Sequence, residues 1–255
     1  MSEPYRLLDL FSGLGAFSLG LERASNFKTV AFCEIEPFAR RILAKHWPET
    51  PCYDDIRELT ADRLRADGIA VDAIAGGWPC QDISIAGLGK GLAGERSGLF
   101  YHVARLAGEL RPRLIILENV SELLGRGMGD VLGTLASLGY DVKWRCIPAS
   151  ELGLPQERDR IWIVAADPLQ VGGSRFIESL DLGTNGQGRP CSEKDLREVF
   201  ATPLQPGSRF PQPMLRRSDN RPANWVDRVG ACGNAVTPLI PELIGRAIAQ
   251  AERAA

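Results

Sequence analysis

The sequence predicts an α/β fold: one doubly wound sheet, mixed but mostly parallel, with a small loop-rich lobe set into its C-terminal part. Three observations predict it. Short apolar runs of strand length alternate with segments of helical period through the first 167 residues, the pattern of successive βα units. The first run opens into a glycine turn and a helix, the place where a sheet of this kind receives a ligand. Beyond Asp167 the periodicity fades into Gly, Pro, Arg and Ser, so the main domain is expected at 1–167 with 222–255 and the lobe at 168–221.

Residues 6–11 read as the first strand and 12–18 as a tight turn that opens a helix through Leu19, Leu21 and Glu22. Gly13 and Gly15 fit the first two positions of a dinucleotide loop, but Ser18 stands where the third glycine belongs, so this motif is weak. The second strand, 28–33, ends at Glu34. There an acidic residue reaches a ribose hydroxyl in nucleoside-binding sheets, although a solvated loop carboxylate is the plainer reading. A helix at 37–46 starts with Pro at its first position. Asp54, Asp55 and Ile56 close a short third strand, and 71–75 form the fourth. Two acidic residues in succession usually mark a solvated turn; at this place in the order they can also reach the base of a nucleoside.

The stretch 72–84 organises the rest. Its apolar run ends in Gly76 and Gly77, and Trp78, Pro79 and Cys80 follow, which puts a thiol at the carboxyl end of a buried strand. Cysteine is an ordinary core residue. Here, however, Pro79 fixes the backbone before it, and the following 85–98 hold five glycines, too many for a regular element and enough for a functional loop. Cys80 is therefore a candidate nucleophile. Leu99, Val103, Leu106 and Leu110 then recur at helical spacing, with His102 as a face residue rather than a catalyst. The cleanest buried strand, 113–117, runs into Glu118, Asn119 and Val120, a carboxylate on the same sheet edge as Cys80. A helix at 130–138 and strands at 140–147 and 160–164 follow. Leu239, Leu243, Ile244, Ala247 and Ile248 make a final amphipathic helix that packs back on the sheet.

With 255 residues, 44% hydrophobic and 24% charged, the chain supports one sizeable core and a small accessory lobe. No run of about 18 apolar residues exists and the polar start lacks the parts of a signal peptide, so a cytoplasmic protein is expected. Six scattered cysteines without a Cys-x-x-Cys pair, and only two histidines, make a metal site or disulfide framework unexpected. A net charge of -2 argues against a generic polyanion binder, but Arg209, Arg216, Arg217, Arg221 and Arg228 form a local cluster.

Taken together, Asp9 to Phe17, Glu34, Asp55-Ile56, Pro79-Cys80-Gln81, Glu118-Asn119-Val120, Gln156 to Arg160 and Gly233-Asn234-Ala235-Val236 resemble the motifs of the DNA (cytosine-5) methyltransferases, in that family's order. The resemblance covers most of the chain outside the loop-rich lobe. It implies a Rossmann-like methyltransferase fold and transfer of a methyl group from S-adenosyl-L-methionine to carbon 5 of a flipped-out cytosine, leaving S-adenosyl-L-homocysteine. By the same resemblance Cys80, Gln81, Glu118, Arg158 and Arg160 are catalytic. Phe17 and the Gly13–Gly15 turn hold the methionine part of the cofactor, Glu34 its ribose, and Asp55 with Ile56 its adenine. Asn234 closes that pocket, and Phe11, Ile35, Pro79 and Ala235 complete it. Ser84, Lys90 and Arg96 of the loop, with Arg209, Arg216, Arg217 and Arg221 of the lobe, meet DNA. The implied partners are double-stranded DNA and a cognate restriction endonuclease, for a bacterial or phage protein that is monomeric on DNA and uses neither membrane nor metal. Ala16 in place of a glycine, Trp78 in place of a phenylalanine and a short lobe depart from the family. The competing readings are a tRNA cytosine-5 methyltransferase, a nicotinamide-dependent dehydrogenase and a DNA-binding protein that no longer catalyses.

Overall fold

The computed structural model describes residues 3–79, 97–148, 159–182 and 236–254. Its strands are β1 (Tyr5–Leu10), β2 (Phe27–Cys33), β3 (Cys52–Tyr53), β4 (Ala73–Gly77), β5 (Leu114–Val120), β6 (Asp141–Pro148) and β7 (Asp159–Ala166). Its helices are α1 (Ala16–Arg23), α2 (Pro37–His46), α3 (Ala61–Ala66), α4 (Phe100–Leu110), α5 (Leu123–Arg126), α6 (Met128–Ser137), α7 (Arg175–Ser179) and α8 (Leu239–Ala254). The strands form one sheet in the order β3-β2-β1-β4-β5-β7-β6. β1 to β5 pair in parallel, and β7 lies antiparallel between β5 and β6. This is the mixed, mostly parallel sheet expected. The chain winds outward from β1 to β3 and then crosses to β4 on the other side, so the carboxyl ends of β1 and β4 flank the topological switch point.

Each face of the sheet is covered by the apolar stripe of amphipathic helices. On one side, Phe100, Val103 and Leu106 of α4 and Val131 and Leu135 of α6 pack on Ile74, Ile115 and Ile163. On the other, Phe17 and Leu21 of α1 and Ile244 and Ile248 of α8 pack on Leu7, Ile116 and Val164. α1 and α8 cross closely because glycines meet there. A Cβ on Gly20 would lie 2.2 Å from the Pro238 carbonyl oxygen, and one on Gly245 would lie 2.6 Å from the Ala24 Cβ. Tyr5 Oη donating to Glu252, and Asn26 Nδ2 donating to the Gly245 carbonyl at 3.2 Å, fasten the same contact. The C-terminal helix therefore runs along α1 from Gly20, in the middle of that helix, to Ala24 at its end.

Three boundaries differ from the sequence reading. β3 is only two residues long, so Asp54, Asp55 and Ile56 lie in the turn beyond it. β5 continues through Val120, because its pairing with β7 runs without interruption from Leu114↔Ala166 to Val120↔Arg160 and takes Glu118 and Asn119 into the strand. Residues 168–182, placed in the lobe by composition, send Phe176, Leu180 and Leu182 into the core beside Ile244 and Ile248. The remainder of the expected lobe, 183–221, lies outside the described residues. Among the described residues no helix is long and apolar enough to cross a membrane, and no cluster of His, Cys, Asp or Glu is arranged to hold a metal.

β1 and β4 approach so closely at the switch point that Gly76, opposite Leu10, has no room for a side chain: its Cβ would stand 2.3 Å from the Leu10 carbonyl oxygen. Backbone cannot yield as a flexible side chain does. Gly76→Ala is expected to destabilise the domain by about 3 kcal/mol, read as a lower urea midpoint at unchanged slope.

Candidate active site

The parallel register of β4 and β5 sets Gly77 directly beside Glu118. A Cβ on Gly77 would come within 2.6 Å of Glu118 Oε2, so this glycine is what lets the carboxylate lie over the neighbouring strand. Glu118 is buried, and Arg160 Nε stands 2.8 Å from its Oε1. β7 supplies that arginine by register: Glu118 faces Trp162, so Arg160, two residues away, is its diagonal neighbour on the same face of the sheet. A carboxylate buried this deeply needs such a partner, since an unpaired charge there would be expensive.

Asn119 points to the opposite face and braces the end of β4. Its Nδ2 donates to the Trp78 carbonyl at 3.1 Å and its Oδ1 accepts from the Val120 N–H at 2.8 Å, with the side chain almost fully buried. Trp78 is held again by its ring, 5.4 Å from that of Phe100 at the start of α4. The backbone two residues before Cys80 is thus fixed relative to Glu118. Pro79 is the last described residue of this stretch. Cys80, Gln81, Ser84, Lys90, Arg96, Arg158, Arg209, Arg216, Arg217, Arg221, Asn234 and Ala235 lie outside the described residues.

At the other side of the switch point the glycine turn is built by positive backbone angles: Phe11 at φ 52, Gly13 at φ 52 and Gly15 at φ 79. The Gly13 N–H donates to Glu34 Oε2 at 2.7 Å and the Glu36 N–H to Glu34 Oε1 at 2.8 Å, so two amides aim one buried carboxylate at the end of β2. The two glycines serve different ends. A Cβ at Gly13 would meet nothing closer than 4.0 Å, leaving that side open to a ligand, whereas one at Gly15 would come within 2.6 Å of the Trp47 ring. Gly15 makes room for the Trp47 ring. Phe17 is buried, with its ring 5.4 Å from that of Trp162, and docks α1 on the sheet. The half-buried Phe11 is the aromatic that stays at the surface of the turn.

Farther along the edge, Ile35 is 58% exposed while Ile56 is buried in the core, which leaves backbone as what Ile56 offers a ligand. The Asp55 carboxylate accepts from the Arg57 N–H at 2.9 Å and from Arg57 Nε and Nη2. The arginine holds its pKa below the usual carboxylate range, so Asp55 is an anion ready to accept.

Sequence reasoning gave Asp9 no role of its own. It is fully buried in β1, and its Oδ2 accepts from Ser18 N–H at 3.2 Å and Ser18 Oγ at 2.7 Å, which caps the first turn of α1 from a neighbouring strand; Oδ1 has no partner among the described residues. Burial pushes its pKa up to about 8, against the opposing pull of the Ser18 bonds. A folded-state pKa raised this way gives stability that is complete below the unfolded pKa near 4 and lost as pH rises toward 8. Wild type is expected to lose up to about 1.4 kcal/mol of stability per pH unit across pH 5 to 7, a slope absent in Asp9→Asn, as read from urea titrations at each pH.

Comparisons with known proteins converge with this geometry. The methyltransferase EhMeth of Entamoeba histolytica superposes with a TM-score of 0.56 at 20% identity over 65% of this chain and 53% of that one, a likeness of fold. The Type II methyltransferase M2.BsuMI of Bacillus subtilis (strain 168) is 36% identical over 188 residues, 69% of this chain and 46% of its own length. The Type II methyltransferase M1.ScrFI of Lactococcus lactis subsp. cremoris is 35% identical over 167 residues, 64% of this chain and 42% of its own. The chain thus spans about half the length of the curated relatives it matches. The family model for C-5 cytosine-specific DNA methylases matches residues 5–179, the span that carries β1 to β7, Glu34, Cys80, Glu118 and Arg160, and the chain belongs to that family.

Proposed function

We propose that this protein transfers a methyl group from S-adenosyl-L-methionine to carbon 5 of a cytosine flipped out of double-stranded DNA, with Cys80 as the nucleophile. The observation that carries this reading is the buried Glu118–Arg160 pair beside Gly77, three residues before Cys80, with the Trp78 carbonyl of the same stretch held by Asn119. Carbon 5 of cytosine is a poor nucleophile. Addition of the Cys80 thiolate to carbon 6 makes the ring an enamine and builds negative charge on it. Glu118 bonds the exocyclic amine and ring nitrogen 3, favouring a proton there, while Arg160, with Arg158, holds the ring carbonyl. A base then takes the proton from carbon 5 and Cys80 leaves.

S-adenosyl-L-methionine, when bound, supplies the electrophilic methyl. The described residues fit that ligand: Glu34, held by two amides, offers a carboxylate to ribose hydroxyls, Gly13 leaves an open approach, Ile35 is exposed next to Glu34 in sequence, and the Asp55 anion can accept from an adenine amine. Reading a base in this way needs the nucleotide out of its stack, at a cost of a few kcal/mol. Ser84, Lys90 and Arg96, with the arginines at 209, 216, 217 and 221, are the proposed DNA contacts. The Type II designation of the relatives supports a cognate restriction endonuclease as partner and a bacterial or phage protein of the cytoplasm. Family membership weighs against the dehydrogenase reading.

The test is incorporation of labelled methyl groups into duplex DNA and into tRNA. Labelled 5-methylcytosine in duplex DNA is expected; label confined to tRNA, or none in either, would overturn the reading.

A further inference from the structure

The turn that carries Asp55 and Ile56 is held both from within and from α4. Within it, the Glu58 and Leu59 N–H groups both donate to the Asp55 carbonyl at 3.1 Å. Two further carbonyls are taken by a single side chain of α4: Arg105 Nη2 donates to Ile56 O at 3.0 Å and to Leu59 O at 2.7 Å. Arg105 Nη1 donates to Glu109 Oε1 at 2.8 Å, and Glu109 Oε2 accepts the Ala61 N–H at 3.0 Å, at the start of α3. One guanidinium and one carboxylate, a helical turn apart on α4, therefore fix two carbonyls and an amide of the segment 56–61 by bonds to backbone alone. Side chains within that segment do not enter these bonds.

We propose that Arg105 is a positioning residue for adenine recognition: by gripping the carbonyls of Ile56 and Leu59 it holds the Asp55–Ile56 backbone in the geometry that meets the adenine of the cofactor. This rests on the reading that Asp55 and Ile56 form the adenine site. A planar guanidinium suits the task, since its forked donors reach both carbonyls and Glu109 at once. α4 also begins where the segment following Cys80 ends, so the adenine turn is anchored on the same helix as the exit of that segment. Purely structural bonding would lower thermal stability and leave the affinity of folded protein for the ligand alone. A positioning role couples to Asp55.

The test is calorimetric titration with S-adenosyl-L-homocysteine of wild type, Arg105→Ala, Asp55→Ala and the double variant, with a thermal melt of each. Arg105→Ala is expected to weaken binding about tenfold, and in the Asp55→Ala background to add less than about twofold. Wild-type binding matched by Arg105→Ala, or losses that multiply in the double variant, would overturn the positioning role alone. Failure of wild type to bind would overturn the cofactor reading and this inference with it. Arg105→Lys keeps the charge but not the fork; should the alanine variant not fold, the same cycle run with lysine is expected to show a smaller loss, again absent in the Asp55→Ala background.

Discussion

Cys80→Ser is expected to lower methyl transfer to duplex DNA by at least about a thousandfold while S-adenosyl-L-homocysteine and DNA still bind. A neutral serine hydroxyl adds to carbon 6 far less readily than a thiolate. The groups proposed to hold the cofactor, Glu34 and Asp55, lie just beyond the ends of β2 and β3, on other segments than Cys80, and are untouched by the change. Single-turnover assays at saturating DNA and cofactor measure the rate, and titration of each ligand measures binding. A duplex with 5-fluorocytosine at the target is expected to trap wild type covalently through Cys80, since fluorine cannot leave as a proton does. No adduct is expected with serine. Retained activity in Cys80→Ser, or a trapped peptide that does not contain residue 80, would remove the covalent mechanism.

Much of the framework behind that prediction was legible from pattern. Alternating apolar runs and helical periods reveal the order of β1 to β7, and Glu34 stood out because the end of β2 follows the glycine turn at the spacing of a nucleoside-binding sheet. What was illegible depends on partners distant in sequence. Polar Glu118 and Asn119 end the apolar run of 114–117, yet pairing with β7 some forty residues on keeps them in the strand. That Gly15 also has to make room for Trp47 is invisible until the two are seen together. Phe11 and Phe17 are indistinguishable as letters six apart; the left-handed backbone at Phe11 and the buried ring of Trp162 sort one to the surface and the other to the core. Asp9 looks like a stray polar residue in a strand because its partner, the first turn of α1, is produced only by folding. Pattern thus reports which residues sit at the ligand edge, and packing decides which of them face a ligand.

Glu118→Gln separates charge from shape at that edge. The amide is nearly isosteric with the carboxylate and keeps one acceptor for Arg160, so the fold and the position of the pyrimidine are expected to survive. What is lost is an anion that favours protonation of ring nitrogen 3 while Cys80 adds, an interaction that strengthens as charge builds on the ring. Loss of a single such group costs about a hundredfold to a thousandfold in kcat, and because the ground state gains little from it, KM for DNA is expected to move by less than about threefold. A rate within a factor of two of wild type would mean that Glu118 is misassigned. Gly77→Ala asks whether position matters as much as charge. Its Cβ would stand 2.6 Å from Glu118 Oε2, forcing the carboxylate to swing without removing it, while the end of β4 remains braced by Asn119. If Glu118 acts by geometry, that methyl group lowers kcat by at least about tenfold in a protein whose melting temperature has barely changed, since misplacement on the order of an ångström is costly at a reacting centre. Combined with Glu118→Gln it then adds little further loss, because the group it displaces no longer contributes.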